Sequence, residues 1–332
     1  MSLSESSTQV GQIRASDVDE CAEAHAPWDM RHTQLSLGKF RTSTDFVSSE
    51  RVTVYRQRWN CKVMARGTSP ADHVVVGTAT NSSVRINWCG SDLSRERFAW
   101  TQPSGEIDFS TSEHSDHVVA LIRADVLARY AGGAEQMTEP QGLHIDCPEQ
   151  MGSNLVATIQ SILTRYASQP GLLEDPRECQ DFESEVLSAL AGCTHWELVP
   201  EGDRSLRQEV MRSAAAYAES RCERITVPQL SQAVGVSQRT LEYAFREGLG
   251  ITPLQFMRRC RLNGALRDLR AATPDSQTVT GIAMKWGFRD LGRFAGTYRK
   301  LFGVYPSQTL GHLHDDIPLT AIHPSGEDQP QT

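Results

Sequence analysis

Two spacings of apolar residues divide the chain. Between residues 35 and about 125 the apolar positions fall in short runs: VTVYRQRW (52–59), HVVVGT (73–78), SVRINWC (83–89) and HVVALI (117–122). β-Branched and aromatic residues fill them. The clusters GTSPAD, TNSS, CGSDLS and TQPSG separate them, so the runs read as strands of a small all-β sandwich or barrel. Past residue 150 the period becomes helical. Met151, Leu155, Ile159, Ile162, Leu163 and Tyr166 make one stripe over 150–167. Phe182, Val186, Leu187 and Leu190 make another over 178–192, with Gln169-Pro170-Gly171 between them. The first stripe has two readings: a face for a homodimer, or a face packed on the chain's own strands. EGDR (201–204) reads as an interdomain hinge.

From residue 205 to 310 the helical pattern carries a repeat. GVSQRTLEYAFREGLGITPLQF, from Gly235, returns 52 to 53 residues later within GFRDLGRFAGTYRKLFGVYPSQTL (287–310). Each copy predicts helix, tight turn, helix, over 227–248 and 279–302. Gly235 and Gly287 end the first helices, where a positive φ is cheap for glycine. Ser237 and Asp290 cap the second helices, and Gly250 and Gly303 close them, with a proline three residues on. Leu241 and Phe245 point inward in one copy, as do Phe294, Tyr298 and Phe302 in the other. One longer helix, Pro253 to Ala271, joins the copies, and about seven helices are expected in all.

A helix-turn-helix places its second helix in the major groove. The outward positions of the first copy are Gln238, Arg239, Glu242, Tyr243 and Arg246. Arginine pairs with guanine, glutamine with adenine, and glutamate accepts from cytosine. The second copy offers Arg289, Gly292, Arg293, Ala295 and Gly296, so Arg293 is its one evident base reader. Arg299 and Lys300 lie late in that helix and suit phosphate.

Charge sharpens this picture. The 332 residues carry a net charge of −8, yet residues 204–304 hold 17 Lys and Arg against 8 Asp and Glu. That segment is +9, residues 1–203 are −13, and the tail from 305 is −4. A basic segment in an acidic protein points to a polyanion partner. The polar start of the chain has no apolar core of a secretory signal, so residues 1–30 read as a disordered tail, like 311–332. No apolar run is long enough to span a membrane. The eight cysteines are scattered, with no C-x-x-C pair, which fits a reducing cytoplasm and buried thiols.

The C-terminal hundred residues resemble the DNA-binding domain of the AraC/XylS family of bacterial transcription regulators. The resemblance rests on Ile282-Ala283, Gly287-Phe288, Gly292-Arg293-Phe294, Tyr298-Arg299, Phe302-Gly303 and Pro306-Ser307. In the first copy it rests on Leu230, Val236-Ser237, Arg239, Leu241, Phe245 and Thr252-Pro253. The DLGRF wording is most similar to the XylS-like branch. The resemblance implies a promoter-binding regulator, commonly an activator that contacts RNA polymerase, with bases met from Arg239, Glu242, Tyr243 and Arg293. Gly292, Ala295 and Gly296 depart from the larger polar residues of the family. For the N-terminal half the resemblance implies a cupin-like effector-binding barrel with dimerisation helices, over residues 31–200. The expected class is therefore α+β.

A small aromatic or carboxylate effector is expected in that barrel. Arg56 and Arg58 share a strand face with Val52 and Val54, and Trp88 and Trp100 supply apolar walls. The other reading puts both arginines at a rim facing water and both tryptophans in the core. EHSDH (113–117) reads as a solvated loop. The barrel has no H-x-H pair for a metal, and no nucleophile triad, P-loop or Rossmann glycines appear, so no cofactor and no catalysis are expected. Two alternatives to a regulator stand beside it. One is an effector-binding protein whose DNA readout has degraded. The other is a DNA-binding domain fused to an enzyme, which would need a reactive cysteine.

Overall fold

The computed structural model describes residues 8–25, 28–94, 96–130, 144–146, 149–191, 197–199, 206–221, 225–273 and 277–310. EGDR (201–204) and the tail from 311 lie outside them.

The N-terminal half is built on two antiparallel sheets. In spatial order the first takes β1 (Gln9–Ala15), β3 (Thr42–Ser48), β4 (Val52–Trp59), β11 (Ser115–Arg123), β6 (His73–Ala79), β9 (Arg97–Thr101), β12 (His144–Asp146) and β13 (Glu197–Val199). The second takes β2 (Asp29–Gln34), β5 (Val63–Thr68), β10 (Glu106–Thr111), β7 (Ile86–Trp88) and β8 (Ser91–Leu93). The expectation of a cupin-like barrel is corrected here. Neither sheet closes: β1 and β13 end the first, β2 and β8 end the second, and among the described residues no ladder joins them. Short alternating runs announce strands, but closure depends on which edges pair, and local pattern carries no record of that.

The stretch expected as a tail to residue 30 is ordered from Thr8. It forms β1, the short helix α1 (Val18–Glu23) and the start of β2. Ile13, Ala15, Val18 and Cys21 are buried along it. Their wide spacing among polar residues hides them from a search for apolar runs.

After α2 (Ala124–Tyr130), two helices cover the outer face of the first sheet: α3 (Glu149–Ser168) and α4 (Pro176–Ala191). Leu155, Ile159, Ile162, Leu163 and Tyr166 pack with Val52, Val54, Val118, Ala120 and Ile122 of β4 and β11. The stripe of α3 therefore serves the chain's own core.

Seven helices follow among the described residues: α5 (Leu206–Arg221), α6 (Val227–Ala233), α7 (Gln238–Leu249), α8 (Pro253–Ala271), α9 (Val279–Lys285), α10 (Leu291–Phe302) and α11 (Pro306–Thr309). Their core is continuous with the sheets. Leu35, Phe40, Trp59 and Met64 belong to the same apolar cluster as Leu241, Phe256, Leu266 and Tyr298. Strand β2, an edge strand, sits along α8. The Asn263 side chain accepts from the Gln34 N–H at 2.9 Å and donates to the Gln34 carbonyl at 3.1 Å. Those are the two backbone groups another strand would have bonded, so α8 caps the sheet edge.

Candidate nucleic-acid interface and inner cavity

The two helix pairs share one local construction. The turn glycines Gly235 and Gly287 have φ of 71° and 77°. Ser237 accepts from the Thr240 N–H, and Asp290 from the Arg293 N–H, capping α7 and α10. Gly250 and Gly303 close these helices in the left-handed region. Thr226 and Thr278 cap α6 and α9. Leu241, Ala244, Phe245 and Leu249 fill the core side of α7; Phe294, Tyr298, Leu301 and Phe302 fill that of α10.

The opposite faces are open. Gln238, Arg239, Tyr243 and Arg246 of α7 are exposed, and Glu242 is half-exposed. The Arg239 guanidinium lies 5.5 Å from the Tyr243 ring centre, a cation–π contact along the helix surface. Arg246 pairs with Glu242 at 3.0 Å. On α10, Arg293, Arg299 and Lys300 are exposed, as is Arg289 just before it. Arg289, Arg293 and Lys300 have no ion-pair partner among the described residues. Arg299 lies over Tyr305, 4.6 Å from its ring centre. A Cβ added at Gly296 would meet nothing within 4 Å, so the middle of this outer face is bare. Arg258 of α8 donates to Thr297 Oγ1 at 2.9 Å and ties the connecting helix to α10.

Two other arginines of α8 meet the acidic half of the chain instead. Arg270 pairs with Asp17 at 3.3 Å and Glu23 at 3.1 Å; Arg267 pairs with Asp19 at 3.4 Å. Burial pushes the Asp19 carboxyl up to about 6, against the pull of Arg267. In α5, Glu219 pairs with Arg66 and accepts from Thr33. The Gln34 amide donates to the Leu301 carbonyl at 2.7 Å. Part of the basic charge of this segment is thus spent on the acidic half of the same chain.

Between the two sheets lies a cavity of about 50 Å³. Trp28, Tyr55, Trp59, Trp88 and Phe109 line it, with His25, His32, His117 and Gln57. Trp88 was expected on such a wall and is there. Trp100 is not: it packs beneath the outer helices with Phe98 and Val76. Arg56 and Arg58 do not reach the cavity either. Tyr55, Gln57 and Trp59 take the inner face of β4, so the arginines project from the other face. There Arg56 pairs with Asp116 at 2.6 Å and Arg58 with Asp45. His25 and His32 carry no signal in the sequence, and His117 stands in a stretch that reads as a solvated loop. In that stretch, EHSDH, Glu113 and His114 are exposed in the turn, whereas His117 is buried in β11. Burial pushes His32 and His117 down to about 4 and lowers His25, so all three are neutral at pH 7. His25 Nδ1 lies 2.6 Å from the Cys21 carbonyl, and His32 Nδ1 3.1 Å from that of Val18, holding α1. Among the described residues no cluster of three or more metal-ligating side chains occurs.

Comparison with known proteins agrees with this layout. Residues 19–191 match the AraC-binding-like domain, and residues 230–312 a helix-turn-helix domain. The chain is similar to a probable thc operon regulatory protein of Rhodococcus erythropolis, 43% identical over 102 residues, 30% of this chain and 31% of that one. It spans about a third of that relative's length. It is also similar to a XylDLEGF operon transcriptional activator of Pseudomonas putida, 30% identical over 221 residues, 65% of this chain and 67% of that one. A solved probable AraC family regulator of Rhodopseudomonas palustris is 39% identical, covering 31% of this chain and 94% of its own, with a TM-score of 0.29. An AraC-binding-like domain across more than half of the chain, joined to two helix-turn-helix pairs, places the protein in the AraC/XylS family of sequence-specific DNA-binding transcription regulators.

Proposed function

We propose that the protein is an effector-responsive activator that holds promoter DNA with α7 and α10. The observation that carries this is the pair of capped helices whose outer faces are exposed while their inner faces fill one core. Gln238, Arg239, Glu242 and Tyr243 are the base readers, with Arg293 adding one contact. Arg246, Arg289, Arg299 and Lys300 hold phosphates. The effector site is the cavity between the sheets, and RNA polymerase is the further partner of the activated complex. The Pseudomonas relative is an operon transcriptional activator, which supports activation. With the stripe of α3 spent on its own sheet, a homodimer must use another surface; sedimentation velocity at micromolar protein tests for one.

The test is a binding titration with the gene's own upstream DNA beside scrambled DNA, at two salt concentrations. The expected result is one fragment bound well above the control, with affinity falling as salt rises. Weak, equal binding to every fragment, with and without added effectors, would favour a protein whose readout has degraded. The bare middle of α10, at Gly292 and Gly296, is the one feature on that side.

A further inference from the structure

We infer that the inner cavity takes an uncharged aromatic molecule bearing hydrogen-bond acceptors, received by the indole N–H groups of Trp59 and Trp88. The inference rests on the reading of this cavity as the effector site and names the class of its ligand.

Three observations carry it. The first is a pair of unspent donors. Trp59 and Trp88 are 2% and 6% exposed, both line the cavity, and neither Nε1–H meets an acceptor. A buried donor left without a partner destabilises a fold, and native structures seldom keep one without a reason. Two on the wall of one cavity call for a guest with acceptor atoms.

The second is the shape of the wall. Phe109 stacks against Trp59, with ring centres 5.8 Å apart and planes 23° apart. It also stacks against Trp88, at 5.4 Å and 15°. Three nearly parallel rings favour a flat, polarisable guest.

The third is charge. Among the described residues no Lys, Arg, Asp or Glu lines the cavity. Its titratable side chains are Tyr55 and three histidines held neutral by burial. A carboxylate would enter with no opposite charge to meet it, which is costly in a low-dielectric interior. An amide, ketone or ester keeps the acceptor and sheds the charge. The cavity as it stands has room for a few waters, so the guest must widen it. Trp28, Met30 and Phe109 are the lining side chains that remain half-buried, and methionine adapts readily.

The experiment is calorimetric titration of the full chain at pH 7.5 with three probes of one ring size: benzamide, benzoate and toluene. Benzamide is expected to bind at least tenfold more tightly than benzoate. Trp88→Phe keeps a ring and removes the donor, so it should weaken benzamide at least fivefold while toluene stays within twofold. Benzoate binding as tightly as benzamide would overturn the assignment. It would move the anion to the open groove on which Trp59 also borders, lined by Arg14, Arg41 and Arg58. Benzamide binding unchanged in Trp88→Phe would overturn the role of the indole. Binding of none of the three would remove the cavity as a ligand site altogether. The comparison of benzamide with benzoate uses the unmodified chain and does not depend on a variant folding.

Discussion

Arg239, Glu242 and Tyr243 stand where Gly292, Ala295 and Gly296 stand one repeat later, 53 residues on. The same helix cylinder is thus furnished with side chains in α7 and bare in α10. Replacing Arg239 with Ala is expected to cost about 1–3 kcal/mol at the specific site and to relax preference at one base pair. Anisotropy titrations on single-base variants of the site would show it; an equal loss on every sequence would rule out base reading. Arg299→Ala should instead weaken binding evenly across sequences and lower the salt slope by about 1. At this scale the sequence leaves open which face of β4 holds the cavity. Alternation along β4 correctly groups Val52, Val54, Arg56 and Arg58 on one face. It cannot say which face looks inward, because both are covered: one by α3, the other by the second sheet. His117 shows the consequence for titration. Its ordinary value of 6.5 falls to about 4 on burial, so an unfolded chain takes up a proton that the folded chain refuses. Stability present above pH 6.5 is lost as pH falls toward 4. The raised carboxyls of Asp17, Asp19 and Glu219 act in the opposite sense. The thermal midpoint of His117→Gln should therefore change less steeply with pH between 6.5 and 4 than that of the unmodified chain. Parallel curves would mean that His117 titrates normally.

Among the elements, the capped helices were legible residue by residue, because a cap and a closing glycine act on their own helix and need no distant partner. Helix α1 and strand β1 were not: six and seven residues are too few to establish a period. Helix α8 shows what a period leaves out. Gly264 sits in its buried middle, where glycine costs about 1 kcal/mol against alanine. A Cβ there would stand 2.1 Å from Cη2 of Trp286, whose indole donates to Asp268 at 2.7 Å. The glycine is the recess that lets α9 dock on the connecting helix. Gly264→Ala should therefore destabilise the chain by about 1–3 kcal/mol despite its better helix propensity. A denaturant midpoint equal to or above that of the unmodified chain would refute the recess.

The whole molecule is held together by a joint between its halves that uses the charge asymmetry itself. Arg267 and Arg270 meet Asp17, Asp19 and Glu23, while Asn263 closes the open edge of β2. Asn263→Ala strands the Gln34 N–H and C=O, a loss of about 1–3 kcal/mol if both stay buried. Hydrogen exchange of the Gln34 amide should accelerate about tenfold or more, and an unchanged rate would mean another acceptor replaces Asn263. The sequence by itself determined the helix-turn-helix pairs, the basic segment and the strand-rich character of the N-terminal half. Those follow from caps, period and charge, which are local. Only the tertiary structure decided that the sheets stay open, which face of β4 lines the cavity, and which arginines turn toward the protein's own acidic half. Each of these depends on what packs across from a residue, and that partner lies far away in the chain.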